Sequence, residues 1–125
     1  MAGDMIKNIL LAGLGGAIGA MFRYGVTLLC NAISWSTNLG TFLVNIIGSF
    51  AMGLLVSCCS GSPWLLMATV GICGGFTTFS TFSMQSVTLL QQGKYGMAAL
   101  YILGTVIVCI AFAAIGCYVG QKIKG

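Results

Sequence analysis

Apolar positions along this chain fall into four long runs, at about 5–29, 40–58, 64–90 and 95–119. An α-helix needs about 20 predominantly apolar residues to cross a hydrocarbon core, so the pattern predicts four transmembrane helices. The breaks between them carry turn chemistry: 31–38, with Ser34, Ser36 and Thr37, then 60–63, ending in Pro63, then 91–94, with Gly93. Connections this short make consecutive helices antiparallel neighbours. The expectation is a single transmembrane domain over 1–125, with no room for a soluble domain. The first run is too long and glycine-rich for a cleaved signal peptide.

Composition strengthens that reading. Of the 125 residues, 58% are hydrophobic and only 5% are charged, where a soluble domain carries roughly 25% charged residues. Positions 24–93, between Arg23 and Lys94, hold no Asp, Glu, Lys or Arg. A small domain leaves much of its chain at the surface, so the solvent for this one is lipid.

The same inventory excludes whole classes of chemistry. The chain has no His, and its single acid, Asp4, lies at the N-terminal edge. That removes an imidazole base, a Ser–His or Cys–His nucleophile and a carboxylate pair. No phosphate-binding P-loop occurs. Gly13, Gly15 and Gly19 mimic a dinucleotide fingerprint, but inside an apolar helical run with no preceding strand. Cys30, Cys58, Cys59, Cys73, Cys109 and Cys117 show no CxxC spacing and mostly sit in apolar runs, where Cys packs as a small hydrophobe. No disulfide framework and no zinc site are expected.

Small residues recur four apart: Gly15 and Gly19, Ala12 and Gly16, Ser49 and Gly53, Gly116 and Gly120. In lipid, such pairs let helix backbones approach where no hydrophobic force drives them together. Helices packed this closely enclose little space, so a transport path belongs at an interface between copies. The basic residues divide almost evenly across the membrane, with Lys7, Lys122 and Lys124 on one side and Arg23 and Lys94 on the other. Orientation follows the Lys/Arg bias of short loops, and three against two sets almost none. Dual topology and an antiparallel homodimer follow.

The third run holds the most unusual segment, residues 74–83, GGFTTFSTFS. Paired glycines and then clustered hydroxyls weaken an α-helix, predicting a break at membrane depth. Broken helices there form ion sites in transporters; a kinked packing helix is the plainer alternative. Phe76, Phe79 and Phe82 recur every three residues beside a row of Thr77, Ser80 and Ser83. Ring edges are partly positive and hydroxyls donate hydrogen bonds, which together suit an anion; plain packing is again the alternative. Asn45 interrupts an apolar stretch of the second run, either as an interhelical hydrogen bond or as a functional amide. Tyr101, Thr105 and Cys109 form one stripe on the fourth run. Arg23 has no acidic partner in the membrane, and either snorkels to the interface or lends positive potential to a vestibule.

These residues together resemble the Fluc (CrcB) family of fluoride channels, over the whole chain and with high specificity in GGFTTFSTFS. The resemblance implies passive export of toxic fluoride across the bacterial inner membrane. It implies an antiparallel dual-topology homodimer in lipid, with two pores, a central structural Na⁺ and no nucleic-acid partner. By motif position, Phe79 and Phe82 would be the pore phenylalanines and Asn45 the pore amide. Ser80 and Thr81 would add hydroxyl contacts, Tyr101 and Thr105 would form a polar track, and Arg23 would sit at the vestibule. Backbone carbonyls of Gly74 and Thr77 from both subunits would hold the Na⁺. The chain departs from the pattern at Cys109, often a hydroxyl residue, and at Gln85, often an acid. A small multidrug transporter would require a membrane-embedded acid, and a non-transporting interaction protein is the other alternative; fluoride efflux from liposomes separates all three. The lining further predicts strong selectivity over chloride, no ATP requirement and no proton coupling.

Overall fold

A chain that faces lipid must satisfy its backbone polar groups within each segment, and a helix does this residue by residue. The computed structural model, which describes residues 2–34, 37–58, 63–77 and 79–125, is helical almost throughout those residues. Helices α1 (Ala2–Ala32) and α2 (Thr37–Cys58) are uninterrupted. The third run is divided. A single turn, α3 (Pro63–Leu66), passes directly into a π-helical stretch (Met67–Cys73) and then α4 (Gly74–Phe76), with α5 (Phe79–Gln91) following the break. Helix α6 (Tyr95–Lys124) completes the chain. Four helical segments are long and apolar enough to cross a membrane. The architecture is therefore all-α with an interrupted third span, as expected. Cys59 and the turn at Ser60–Ser62 lie outside the described residues, as do Thr78 and the side chain of Ser80.

The break falls within the expected segment, at its first hydroxyl residue and after the glycine pair. Gly74 keeps helical dihedrals (φ −63°, ψ −39°), and its N–H reaches back to the carbonyls of Thr69 and Gly71. Gly75 serves a close contact instead: a Cβ there would stand 2.5 Å from the carbonyl oxygen of Gly16 on α1. The chain leaves helical geometry at Thr77, whose backbone is extended (φ −85°, ψ 158°). Both the N–H and the hydroxyl of Thr77 donate to the Cys73 carbonyl, at 3.0 and 2.9 Å. The hydroxyl thus shares the last helical acceptor with the backbone.

Two backbone-to-backbone contacts organise the rest. Helix α1 lies against the π-helical stretch and α4, and α2 lies against α6. At the first, a Cβ on Gly71 would stand 2.8 Å from the Cα of Gly15, and one on Gly19 would collide with the Ile72 carbonyl. At the second, a Cβ on Gly53 would strike the Ala113 carbonyl, and one on Gly116 the Phe50 carbonyl. The small-residue spacing therefore does what the sequence predicted.

The turn from α5 to α6 has its own local logic. Gly93 adopts a positive φ of 76°; its N–H donates to Leu90 O at 3.1 Å, and that of Lys94 donates to Leu89 O at 3.0 Å. This pair of bonds is a Schellman motif, which satisfies the last carbonyls of α5. It folds α6 back beside α5 within a few residues. Large apolar side chains from Met5 to Ile123 remain exposed along the helices, as a lipid-facing surface requires.

Candidate functional site

On α2, Asn45, Gly48 and Ser49 lie within about one helical turn, and all three open into a groove of about 420 Å³. Cys73 and Thr77 close it from the interrupted span, Phe79 and Phe82 from α5, and Thr105 and Cys109 from α6. Gly48 is what admits the break into this space: a Cβ there would collide with the Thr77 methyl group. The groove thus forms where the extended residue Thr77 steps between α2 and α5.

Its chemistry is aromatic and hydroxyl-rich, with no charged side chain. The Phe79 and Phe82 rings lie 5.7 Å apart, tilted by 54°, an edge-to-face tendency that aromatic quadrupoles favour. Phe82 is 6% exposed, whereas Phe79 is 77% exposed on the open side of the groove. Thr105 is 5% exposed, and its hydroxyl is the one buried side-chain oxygen among the described residues with no hydrogen-bond partner. Leaving such a group unpaired costs about 1–3 kcal/mol, so a polar ligand that reached this hydroxyl would be stabilised there. Ser49 and Cys109 hydrogen-bond one another across it.

The residues singled out from sequence divide among three hollows. Asn45, Phe79, Phe82 and Thr105 meet in the groove. Thr81 and Arg23 line a separate cavity of about 200 Å³ between α1 and α2. There the Arg23 Nε–H donates to the Gly75 carbonyl at 3.1 Å, tying α1 to α4. Tyr101 lines a third, apolar hollow of about 270 Å³ between α2 and α6. Its ring packs 5.2 Å from Phe82, and its hydroxyl donates to Gln85 Oε1 at 2.6 Å. The hydroxyl row of Thr77, Ser80 and Ser83 is not a single donor face, since Thr77 spends its proton on Cys73 O.

Gly74 is exposed and Thr77 half-buried at the break. Among the described residues, no group of three or more His, Cys, Asp or Glu side chains converges on a metal position. Any cation at the break would be held by neutral backbone oxygens.

Sequence reasoning missed Gly48, Ser49, Cys73 and Gln85 as neighbours of the site. Ser49 carried a signal, standing four residues after Asn45 and so on the same helix face. The contact of Gly48 with Thr77 carried none, because it depends on how α2 meets the break.

Comparison with known proteins agrees over almost the whole chain. Residues 10–117 match the family described as CrcB-like protein, Camphor Resistance (CrcB). A fluoride-specific ion channel FluC 1 of Listeria monocytogenes is 41% identical, over 93% of this chain and 99% of its own length. The fluoride-specific ion channel FluC of Methylobacterium nodulans is 44% identical over 83% of this chain and 88% of its own. That of Pseudomonas putida is 39% identical over 86% and 91%. A match that runs from Leu10 in α1 to Cys117 in α6, through the broken span, makes this chain a member of the CrcB family.

Proposed function

We propose that this chain is a passive, fluoride-selective channel of the bacterial inner membrane. In this reading it works as an antiparallel homodimer with two pores. The observation that carries the proposal is the acid-free groove holding Asn45, Phe79, Phe82 and the unpartnered Thr105 hydroxyl. Relatives covering nearly the whole chain are named fluoride-specific ion channels, which supports the choice of anion.

Fluoride is small and holds its water strongly, so a conducting path must replace that water with close donors. The Thr105 hydroxyl and the Asn45 amide are donors without charge, and the phenyl edges add weak positive potential. Neutral donors suit conduction, because binding must favour entry yet permit exit. A fixed Lys or Arg in the groove would hold the anion too tightly. A larger anion loses contact with donors fixed at fluoride distance, which gives selectivity over chloride.

The groove opens on a side where Phe79 is 77% exposed. A second copy covering that side encloses the path, and a two-fold axis in the membrane plane makes two equivalent paths. The near balance of Lys7, Lys122 and Lys124 against Arg23 and Lys94 supports opposite insertion of the two copies. Reporter fusions at the C-terminus should then report both orientations in cells; one orientation throughout would sink the dual topology.

Na⁺ fits the donor set at the break. The Gly74 and Thr77 carbonyls would hold it, and Thr77 is where the backbone turns extended. Hard cations take oxygen ligands, and Ca²⁺ sites draw on carboxylates, which these spans lack. When bound, the ion would supply positive charge that fixes the break between facing copies. Purified protein in liposomes loaded with fluoride salt should release it down its gradient without ATP. Efflux no faster than from protein-free liposomes would reject the channel reading.

A further inference from the structure

The groove and the apolar hollow between α2 and α6 each take one ring of a packed pair. Phe82 lines the groove, Tyr101 lines the hollow, and their rings pack 5.2 Å apart. The Tyr101 hydroxyl has a single proton, and it is donated to Gln85 Oε1 at 2.6 Å, the short end of the range for such bonds. Gln85 follows Phe82 by three residues, about one turn of α5. Phe82 and Gln85, both on α5, therefore hold the ring and the hydroxyl proton of Tyr101, and the Thr41 side chain on α2 hydrogen-bonds the same hydroxyl. While that bond holds, the phenol offers no proton to an anion.

We propose that Gln85 is a positioning residue for anion passage: it accepts the Tyr101 proton and holds the phenol across the junction of the two hollows, so that a passing anion must take that proton in place of the amide oxygen. The proposal rests on the channel reading above. An anion is a stronger acceptor than a neutral amide. Fluoride, being smaller, approaches the proton more closely than chloride, and the Coulomb energy rises as the distance shrinks. Displacing Gln85 costs both anions the same bond but returns more to fluoride, so this step limits the passage of chloride and not that of fluoride, and Gln85 sets a threshold against chloride.

Fluoride and chloride efflux from liposomes, measured for the parent, Q85M, Y101F and the double variant, tests this. Met is unbranched and near Gln in size but accepts no strong hydrogen bond. In Q85M, chloride efflux should rise about fivefold or more while fluoride efflux stays within about threefold of the parent, matching one net hydrogen bond. In the Y101F background the same substitution should change neither, because Gln85 acts through the phenol. Unchanged chloride efflux in Q85M, or an equal change in the Y101F background, overturns the proposal. If Q85M does not yield folded protein, Q85E serves: its carboxylate binds the phenol proton more strongly once ionised. Fluoride efflux of Q85E relative to the parent at the same pH, a ratio taken after subtracting leakage of neutral HF from protein-free liposomes, should then fall about threefold or more between roughly pH 4 and pH 8. A flat ratio overturns the proposal. A parent that conducts fluoride while these variants match it removes only the role of Gln85. A parent that conducts none overturns the channel reading and this proposal with it.

Discussion

The two halves of the third span are built on opposite principles. From Met67 to Phe76 the chain lies backbone against backbone on α1, with Gly71 and Gly75 facing Gly15 and Gly16. From Phe79 to Gln91 it presents side chains: two phenylalanines to the groove, and Gln85 to Tyr101. The first half buys precision by closeness, since carbonyl contact leaves no room for adjustment. The second half keeps space, and its polar and aromatic groups do chemistry within it. Thr77, extended directly after the last residue of α4, is the hinge between the two programmes.

That contrast can be broken from either side, and the largest effect is expected in the first half. Gly19→Ala places a Cβ against the Ile72 carbonyl and 2.7 Å from the Phe76 nitrogen. Overpacking against backbone should cost of order 3 kcal/mol. The yield of monodisperse protein after detergent extraction should collapse, and with it all efflux. Normal yield and activity would show that α1 and the broken span are not held in this register.

In the groove that the second half shares with α2, changes should spare the protein and alter the flux. Asn45→Asp adds negative charge to the groove and replaces an amide donor by an acceptor-only carboxylate. Fluoride efflux should fall at least about tenfold, the equivalent of ~1.4 kcal/mol, with yield unchanged. Phe79→Ile and Phe82→Ile remove ring edges worth about 0.5–1.5 kcal/mol, so each should slow efflux roughly two- to tenfold. The pair also sharpens the contrast. Phe82 is packed against Tyr101, so its loss should lower thermal stability by about 1 kcal/mol, while loss of the exposed Phe79 ring, which gives up its tilted contact with Phe82, should lower it less. If all three variants conduct at the parental rate, the groove is not the path.

The smallest effect is expected at Gly13, on α1 near Gly15 but with nothing within 4 Å of an added Cβ. Gly13→Ala should shift stability by no more than about 0.5 kcal/mol and leave efflux intact. A loss comparable to that of Gly19→Ala would mean that helix propensity, and not close approach, governs α1.

How much of this was legible in the sequence follows from the kind of signal each feature leaves. Four spans, their connections and the small-residue contacts are written in periodicity and spacing, because a helix in lipid has few other ways to satisfy its backbone. Asn45, Phe79, Phe82 and Thr105 stood out as polar or aromatic groups that apolar packing does not require, and they meet in one groove. The break was legible in the glycines and hydroxyls of 74–83 together, but which of them makes it was not, because a glycine's tolerance of non-helical geometry and its usefulness in a close contact look alike in one dimension. Gly75 is spent on Gly16, and the hydroxyl residue Thr77 ends the helix instead.

The sequence alone determined that this chain lives in lipid, crosses it four times without a usable carboxylate, and concentrates its polar groups around one interrupted span. Those conclusions depend only on residue type and order, and the physics of the bilayer acts on these directly. Tertiary structure decided which polar groups share a space. It sent Arg23 and Thr81 to one cavity, joined Tyr101 to Gln85, and left the Thr105 hydroxyl buried without a partner in the groove. Such pairings join residues far apart along the chain across helix interfaces whose rotation and register no local pattern encodes.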